Sequence, residues 1–178
     1  MIPQTAAQEL LAELKAGVLT LTLNRPEVLN ALTMGMMKAI TEALKKAAVD
    51  KAVKVVILTA AGRAFCAGAD LGDLKKRQSV KTFSLGDELR DHFNPIIAQL
   101  RKIEKPVIGA INGLAAGAGA SIILSTDLKI CSETAKFVNA FVRVGLVPDS
   151  GMTYFLPRVM GYAKALEHMW LAKPSAAD

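Results

Sequence analysis

One carboxylate, Asp149, stands in the run VGLVPDSGMTYFLP, residues 144–157, with no other charge beside it. A carboxylate in apolar surroundings loses hydration, its pKa rises, and it becomes suited to carrying a proton. Asp before a helix is also a common N-cap, and Ser150 could serve the same purpose. Both readings are open on the local sequence. Two turns rich in Gly and Ala, in FCAGAD (65–70) and LAAGAGAS (114–121), add a second kind of chemistry. Small residues let a ligand approach the backbone, and two N–H groups converging on one oxygen form an oxyanion hole for an enolate or a tetrahedral intermediate.

Other chemistries fit poorly. Ile122 stands where a third glycine would follow Gly117 and Gly119 in a dinucleotide loop, and no Gly-Lys-Ser/Thr occurs. His92 and His168 stand apart, and no Cys or His pair has metal-ligand spacing, so no metal is expected. Cys66 and Ser121 have no neighbouring base in the sequence and read as small packing residues. The 22 Lys and Arg against 16 Asp and Glu give +6, but the cations are interspersed with acids, as in Lys45, Lys46, Asp50 and Lys51. That favours an anionic small ligand over nucleic acid.

The chemistry-bearing residues need a frame. Leu19, Leu21 and Leu23 alternate with Thr20 and Thr22 as in a half-buried strand that Pro26 ends. Thr33 can cap a helix over 33–50, with Met37, Ile40, Leu44 and Ala47 on one face and Glu42 four before Lys46. VKVVILTAAG (53–62) reads as a strand buried on both faces, and PVIGAING (106–113) as another. Leu85, Leu89, Phe93, Ile96 and Leu100 mark a helix from about 85 to 103 that Pro95 either kinks or starts. Short strands follow in LKICS and AKFV, then helices over 152–159 and 162–172. Strands alternating with helices define an α/β class with largely parallel pairing.

VVILTAAGRAFCAGAD and PVIGAINGLAAGAGAS echo one another: strand, Gly/Ala-rich turn, helix. In open α/β sheets such turns lie at the carboxyl ends of strands, where ligands bind. The uncharged stretch 106–126 is long enough to span a membrane, but four glycines, Asn112 and two serines make it a buried strand-turn-helix. Two cysteines and an N-terminus without a leader pattern fit a reducing, cytoplasmic setting with no membrane partner.

Four ordered stretches, LTLNRPEVLNAL, FCAGADL, KPVIGAINGLAAGAGAS and VGLVPDSGMTYFLPRVMG, resemble the successive signatures of the crotonase (enoyl-CoA hydratase/isomerase) superfamily. The resemblance covers about 17–170. Within the superfamily, AAGAGAS and the stretch around Asp149 are most similar to the ring-epoxide isomerases of phenylacetyl-CoA degradation.

The resemblance implies a crotonase-like spiral of ββα turns within one core domain, 1–178. Relatives continue past WLAKPSAAD, so trimerisation helices are expected to be missing after Asp178. It implies an acyl-CoA substrate, with coenzyme A as part of the substrate and no further cofactor. Oxyanion-hole amides fall on Ala69 and Ala118, and the acid-base carboxylate on Asp149. Contacts to the substrate or its coenzyme A fall on Arg25, Val28, Ala67, Asp70, Leu71, Gly117 and Phe141. Hydratases of the superfamily carry two glutamates where this chain has Ser121 and Phe141, which argues against hydration. Apolar neighbours would raise the pKa of Asp149 while a helix start would lower it. The implied reaction is proton or double-bond migration through a thioester enolate. A hydratase, an aryl-CoA dehalogenase or a non-catalytic acyl-CoA-binding subunit remain alternatives. The implied assembly is a homotrimer or hexamer, and Ala163, Leu166, Met169 and Trp170 share the face of the last helix expected to need cover.

Overall fold

The computed structural model describes residues 9–79 and 81–176. Strand β1 (Leu10–Lys15) runs antiparallel to β2 (Val18–Leu23). Ala16 and Gly17, both at positive φ, join them in the two-residue turn that suits a hairpin. β1 has no period-two signal because only Leu10 is buried along it, so nothing in its sequence marks it as a strand. In β2 the expected alternation appears, with Leu21 and Leu23 fully buried.

After the hairpin the chain repeats one unit. β3 (Val55–Ala60), β4 (Ala64–Cys66) and α2 (Leu71–Gln78) form the first ββα turn. β5 (Val107–Ile111), β6 (Leu114–Ala116) and α5 (Ala118–Leu124) form the second. β7 (Leu128–Cys131) and β8 (Lys136–Val138) open a third, continued by a 3-10 turn over Ala140–Val144. The first strand of each unit joins a five-stranded sheet, in the order β1-β2-β3-β5-β7. The second strand joins a three-stranded sheet, β4-β6-β8. The strand pairings beyond the β1–β2 hairpin are parallel, and an isolated antiparallel bridge joins Phe137 of β8 to Ser175. The sequence echo is therefore a structural repeat, and what reads as plain turn in Ala64–Cys66 and Leu114–Ala116 is short strand.

Several elements differ from expectation. β3 is not buried on both faces: Val56, Leu58 and Ala60 are buried while Val55, Ile57 and Thr59 are half-buried. The 85–103 helix is interrupted. It comprises α3 (Leu85–Glu88), one π-helical turn over Leu89–Phe93, and α4 (Asn94–Lys102). Pro95 lies in the first turn of α4, where its missing N–H costs nothing, and the π turn absorbs the change of register. Glu42 pairs with Lys45 at 3.0 Å, not with Lys46.

Helix α1 (Met34–Val49) is capped as expected, the Thr33 hydroxyl accepting from the Met36 amide at 3.1 Å. Its buried face, including Met36, Met37, Ile40 and Leu44, packs on α4. At its other end Lys105 Nζ donates to the Ala47 and Asp50 carbonyls, placing a cation at the negative helix terminus. Helices α6 (Met152–Met160) and α7 (Tyr162–Leu171) pack on each other. The inward residues of α7 are Ala165 and Met169, while Ala163 and Trp170 face outward, so the expected shared face is rotated. Among the described residues no helix is long and apolar enough to cross a membrane.

The two Gly/Ala turns touch where the two sheets meet. A Cβ added to Gly119 would lie 2.6 Å from the Cys66 carbonyl oxygen and 2.7 Å from its Cβ. Real Cβ atoms do not come so close to backbone, so α5 can lie against β4 only with glycine there. Gly119→Ala is expected to destabilise the protein by about 2 kcal/mol, by overpacking a site that cannot yield. Urea denaturation measures this, and an unchanged midpoint would contradict the contact.

Candidate active site

A cavity of about 350 Å³ lies between the two Gly/Ala turns, α2, the π turn and the Ala140–Val144 turn. Its wall includes Val28, Ala67, Ala69, Asp70, Leu71, Gly117, Ala118, Phe141 and Asp149. The sequence-expected residues other than Arg25 thus converge on one space.

The first turn is held by strand-like bonds. Ala67 N–H donates to Leu29 O at 2.9 Å, Leu32 N–H to Gly68 O at 2.8 Å, and Asp70 N–H to Leu32 O at 3.0 Å. In such a parallel bridge the intervening residue, Ala69, directs its amide the other way. In the second turn Gly117 N–H donates to Val138 O at 3.0 Å, and Ala118 is the first residue of α5, where helical amides have no internal acceptor. Among the described residues neither the Ala69 nor the Ala118 amide has an acceptor. Gly68, at φ 97°, lets the turns meet: a Cβ there would stand 3.0 Å from Ala116 O and 3.6 Å from Ala118 N. Two unsatisfied amides on one apolar wall are the parts of an oxyanion hole.

Asp149 does not cap α6. The cap position is Gly151, at φ 81°, with no side-chain bond to the first turn. The Asp149 backbone carbonyl accepts from Met152 N–H at 2.9 Å and from the Ser121 hydroxyl at 3.2 Å. Its Oδ1 accepts from the Ser150 hydroxyl at 2.8 Å. Burial raises its pKa above 3.8, and the Ser150 hydrogen bond opposes the rise without cancelling it. The rise by desolvation accords with the apolar surroundings expected from sequence, while the opposing contribution comes from the Ser150 hydroxyl, which the sequence did not anticipate. Phe141, itself buried, is part of the wall that removes the water.

Arg25 stands apart from the other expected residues. Its guanidinium does not line the cavity: Nε pairs with Glu9 at 3.2 Å and one terminal nitrogen reaches Asp70 at 2.8 Å and the Ala31 carbonyl at 2.6 Å. Glu9 in turn accepts from the Thr33 hydroxyl at 2.6 Å. Asp70 completes the chain, its Oδ1 accepting from the Gly72 and Asp73 amides and capping α2. Those two amides and Arg25 hold the Asp70 carboxyl below its ordinary range. The side chains of Arg25 and Asp70 therefore fasten the 67–70 turn, a role that needed the distant partners Glu9 and Thr33 to be visible.

Ser121 has a use that sequence missed: fully buried, it tethers Asp149. Cys66 is buried and its thiol is pushed up to about 12, in keeping with packing rather than nucleophilic chemistry. Among the described residues no group of three His, Cys, Asp or Glu could hold a metal.

With this geometry in view, residues 13–178 match the sequence family described as Enoyl-CoA hydratase/isomerase. The 1,2-epoxyphenylacetyl-CoA isomerase of Escherichia coli K12 is 45% identical over 169 residues, covering 95% of this chain and 64% of that protein. The trans-2-decenoyl-[acyl-carrier-protein] isomerase of Streptococcus mutans is 34% identical, covering 90% of this chain and 61% of its own length. A crystal structure of an enoyl-CoA hydratase from Polaromonas sp. JS666 superposes with a TM-score of 0.87 at 32% identity, covering 94% of this chain and 65% of that one. The chain belongs to the enoyl-CoA hydratase/isomerase family. It spans a little under two thirds of the length of these relatives.

Because the folded pKa of Asp70 is depressed, its contribution to stability is present above about 3.8, its unfolded value, and is lost as pH falls through the folded pKa. Asp70→Ala should cost about 1–2 kcal/mol at pH 7 by loss of the cap and the ion pair. The difference between the two proteins should shrink in strong acid. Denaturation at pH 7 and pH 3 checks this, and a deficit independent of pH would contradict it.

Proposed function

We propose that the cavity isomerises acyl-CoA thioesters through an enolate. The observation that carries this reading is a desolvated carboxylate, Asp149, on the same apolar wall as two acceptor-free amides. Asp149 as carboxylate takes a proton from a carbon whose electrons can delocalise into the thioester. The charge that reaches the thioester oxygen is received by the Ala69 and Ala118 amides, each worth a few kcal/mol. The carboxylic acid so formed returns the proton to a different carbon. No atom or electron is gained or lost, so no co-reactant is required. The name of the Escherichia coli relative supports a ring-derived acyl group as the substrate class.

Hydration needs a second acid-base group to deliver water. Ser121 is committed to the Asp149 backbone and Phe141 is part of the apolar wall, which supports isomerisation over hydration. The exposed side chains of Tyr162, Trp170 and Leu171 on α7 support assembly into a homotrimer or hexamer. Free cysteines and a buried Cys66 support a cytoplasmic setting.

Asp149→Asn should reduce isomerisation of an unsaturated acyl-CoA by roughly 100-fold or more while leaving binding of the thioester within a few-fold. Near-normal turnover would contradict the assignment. Crotonyl-CoA should be hydrated very slowly or not at all, as followed by loss of enoyl absorbance; rapid hydration by the pure protein would overturn the choice of reaction.

A further inference from the structure

Ser150 occupies a conformation that serine adopts rarely, with φ at 51° and only 4% of its surface exposed. It is followed by a second left-handed residue, Gly151. A serine beside a helix start ordinarily caps it, yet α6 has no side-chain cap. The hydroxyl instead turns back to the preceding residue and donates to Asp149 Oδ1 at 2.8 Å. Oδ2 accepts from no described residue, and Ser121 holds the backbone of the same aspartate from the opposite element. The left-handed pair Ser150–Gly151 closes the turn in which Asp149 O accepts from Met152 N–H at 2.9 Å, and that turn sets the buried Ser150 hydroxyl against the carboxylate on the cavity wall.

We propose that Ser150 is a positioning residue that fixes Asp149 Oδ1 and leaves Oδ2 as the atom that exchanges protons with substrate. This rests on Asp149 being the proton carrier. With one oxygen engaged, the carboxylate cannot rotate between equivalent arrangements, and the free lone pairs keep one direction relative to the amides of Ala69 and Ala118. The hydrogen bond also stabilises the ionised form against the desolvation that surrounds it. Of the charged groups on the flanking elements, Arg77 of α2 pairs with Asp73 and Glu88, and Arg90 of the π turn with Asp87, while Lys75, Lys76 and Asp91 are exposed. Asp70, the other carboxylate of the wall, is held by Arg25 and the α2 amides. Arg143 of the neighbouring turn donates to Ala172 O, and Arg158 of α6 lies over the Tyr154 ring. From α4, Arg101 pairs with Asp127, and Lys102 is exposed; α5 brings no charged side chain.

The test uses Ser150→Ala and Ser150→Gly, with Asp149→Asn as reference. Glycine removes the hydroxyl and also relieves the left-handed strain, so a purely structural serine would be replaced without loss. Carbon-13 NMR of labelled aspartate carboxyls, with the Asp149 signal assigned by its absence in Asp149→Asn, follows the titration without substrate. Isomerisation of trans-3-hexenoyl-CoA across pH follows the chemistry. Both Ser150 variants should show the Asp149 midpoint moved upward. At neutral pH kcat should fall roughly tenfold or more with KM little changed, even where Ser150→Gly is the more stable protein. A Ser150→Gly protein with unmoved Asp149 titration and full kcat overturns the proposal while Asp149 keeps its role. An active Asp149→Asn overturns the underlying reading instead, whatever the Ser150 variants do.

Discussion

The site depends on the close approach of two backbone turns. Gly119 against Cys66 and Gly68 against Ala116 bring the carboxyl end of one ββα unit onto the next with no side chain between them. Hydrogen bonds from the turns to Leu29, Leu32 and Val138 use the flanking amides and leave those of Ala69 and Ala118 over. An unsatisfied amide on an apolar wall is costly unless a ligand completes it. Small residues here are thus required for packing, and in the proposed reaction they also leave room for a thioester.

The fold supplies rigidity behind this contact. The repeated unit puts β3, β5 and β7 in one sheet and β4, β6 and β8 in the other, so each turn leaves a strand held by parallel pairing and enters a helix. The relay from Thr33 through Glu9 and Arg25 to Asp70 ties the first turn to α1 and to the N-terminal hairpin. On the other side, Ser121 links α5 to the segment that carries Asp149. The two Gly/Ala turns and the segment of Asp149 are therefore in contact with α5, through Gly119 against Cys66 and Ser121 against the Asp149 backbone.

Much of this was legible in the sequence because its signals are local. The alternation of β2, the Thr33 cap, and the Gly/Ala turns each sit within a few residues of what they specify. The convergence of Ala69, Ala118 and Asp149 came from resemblance, since no local pattern relates residues so far apart. What was missed needed tertiary partners. β1 is an edge strand without alternation, Arg25 is spent on Glu9 and Asp70, and Ser121 and Ser150 gain meaning only when Asp149 stands beside them. The π turn before α4 was hidden in a pattern that looks continuous, because Leu85, Leu89 and Phe93 keep helical spacing across it.

The central claim is that one thioester oxygen is received by two particular amides opposite one carboxylate. A crystal structure of the chain bound to a saturated acyl-CoA, which cannot be isomerised, tests it most directly. The account predicts the thioester oxygen within about 3.1 Å of both the Ala69 and Ala118 nitrogens, with Asp149 Oδ2 facing the acyl carbons. A thioester oxygen bound elsewhere, with those two amides left to water, would contradict it.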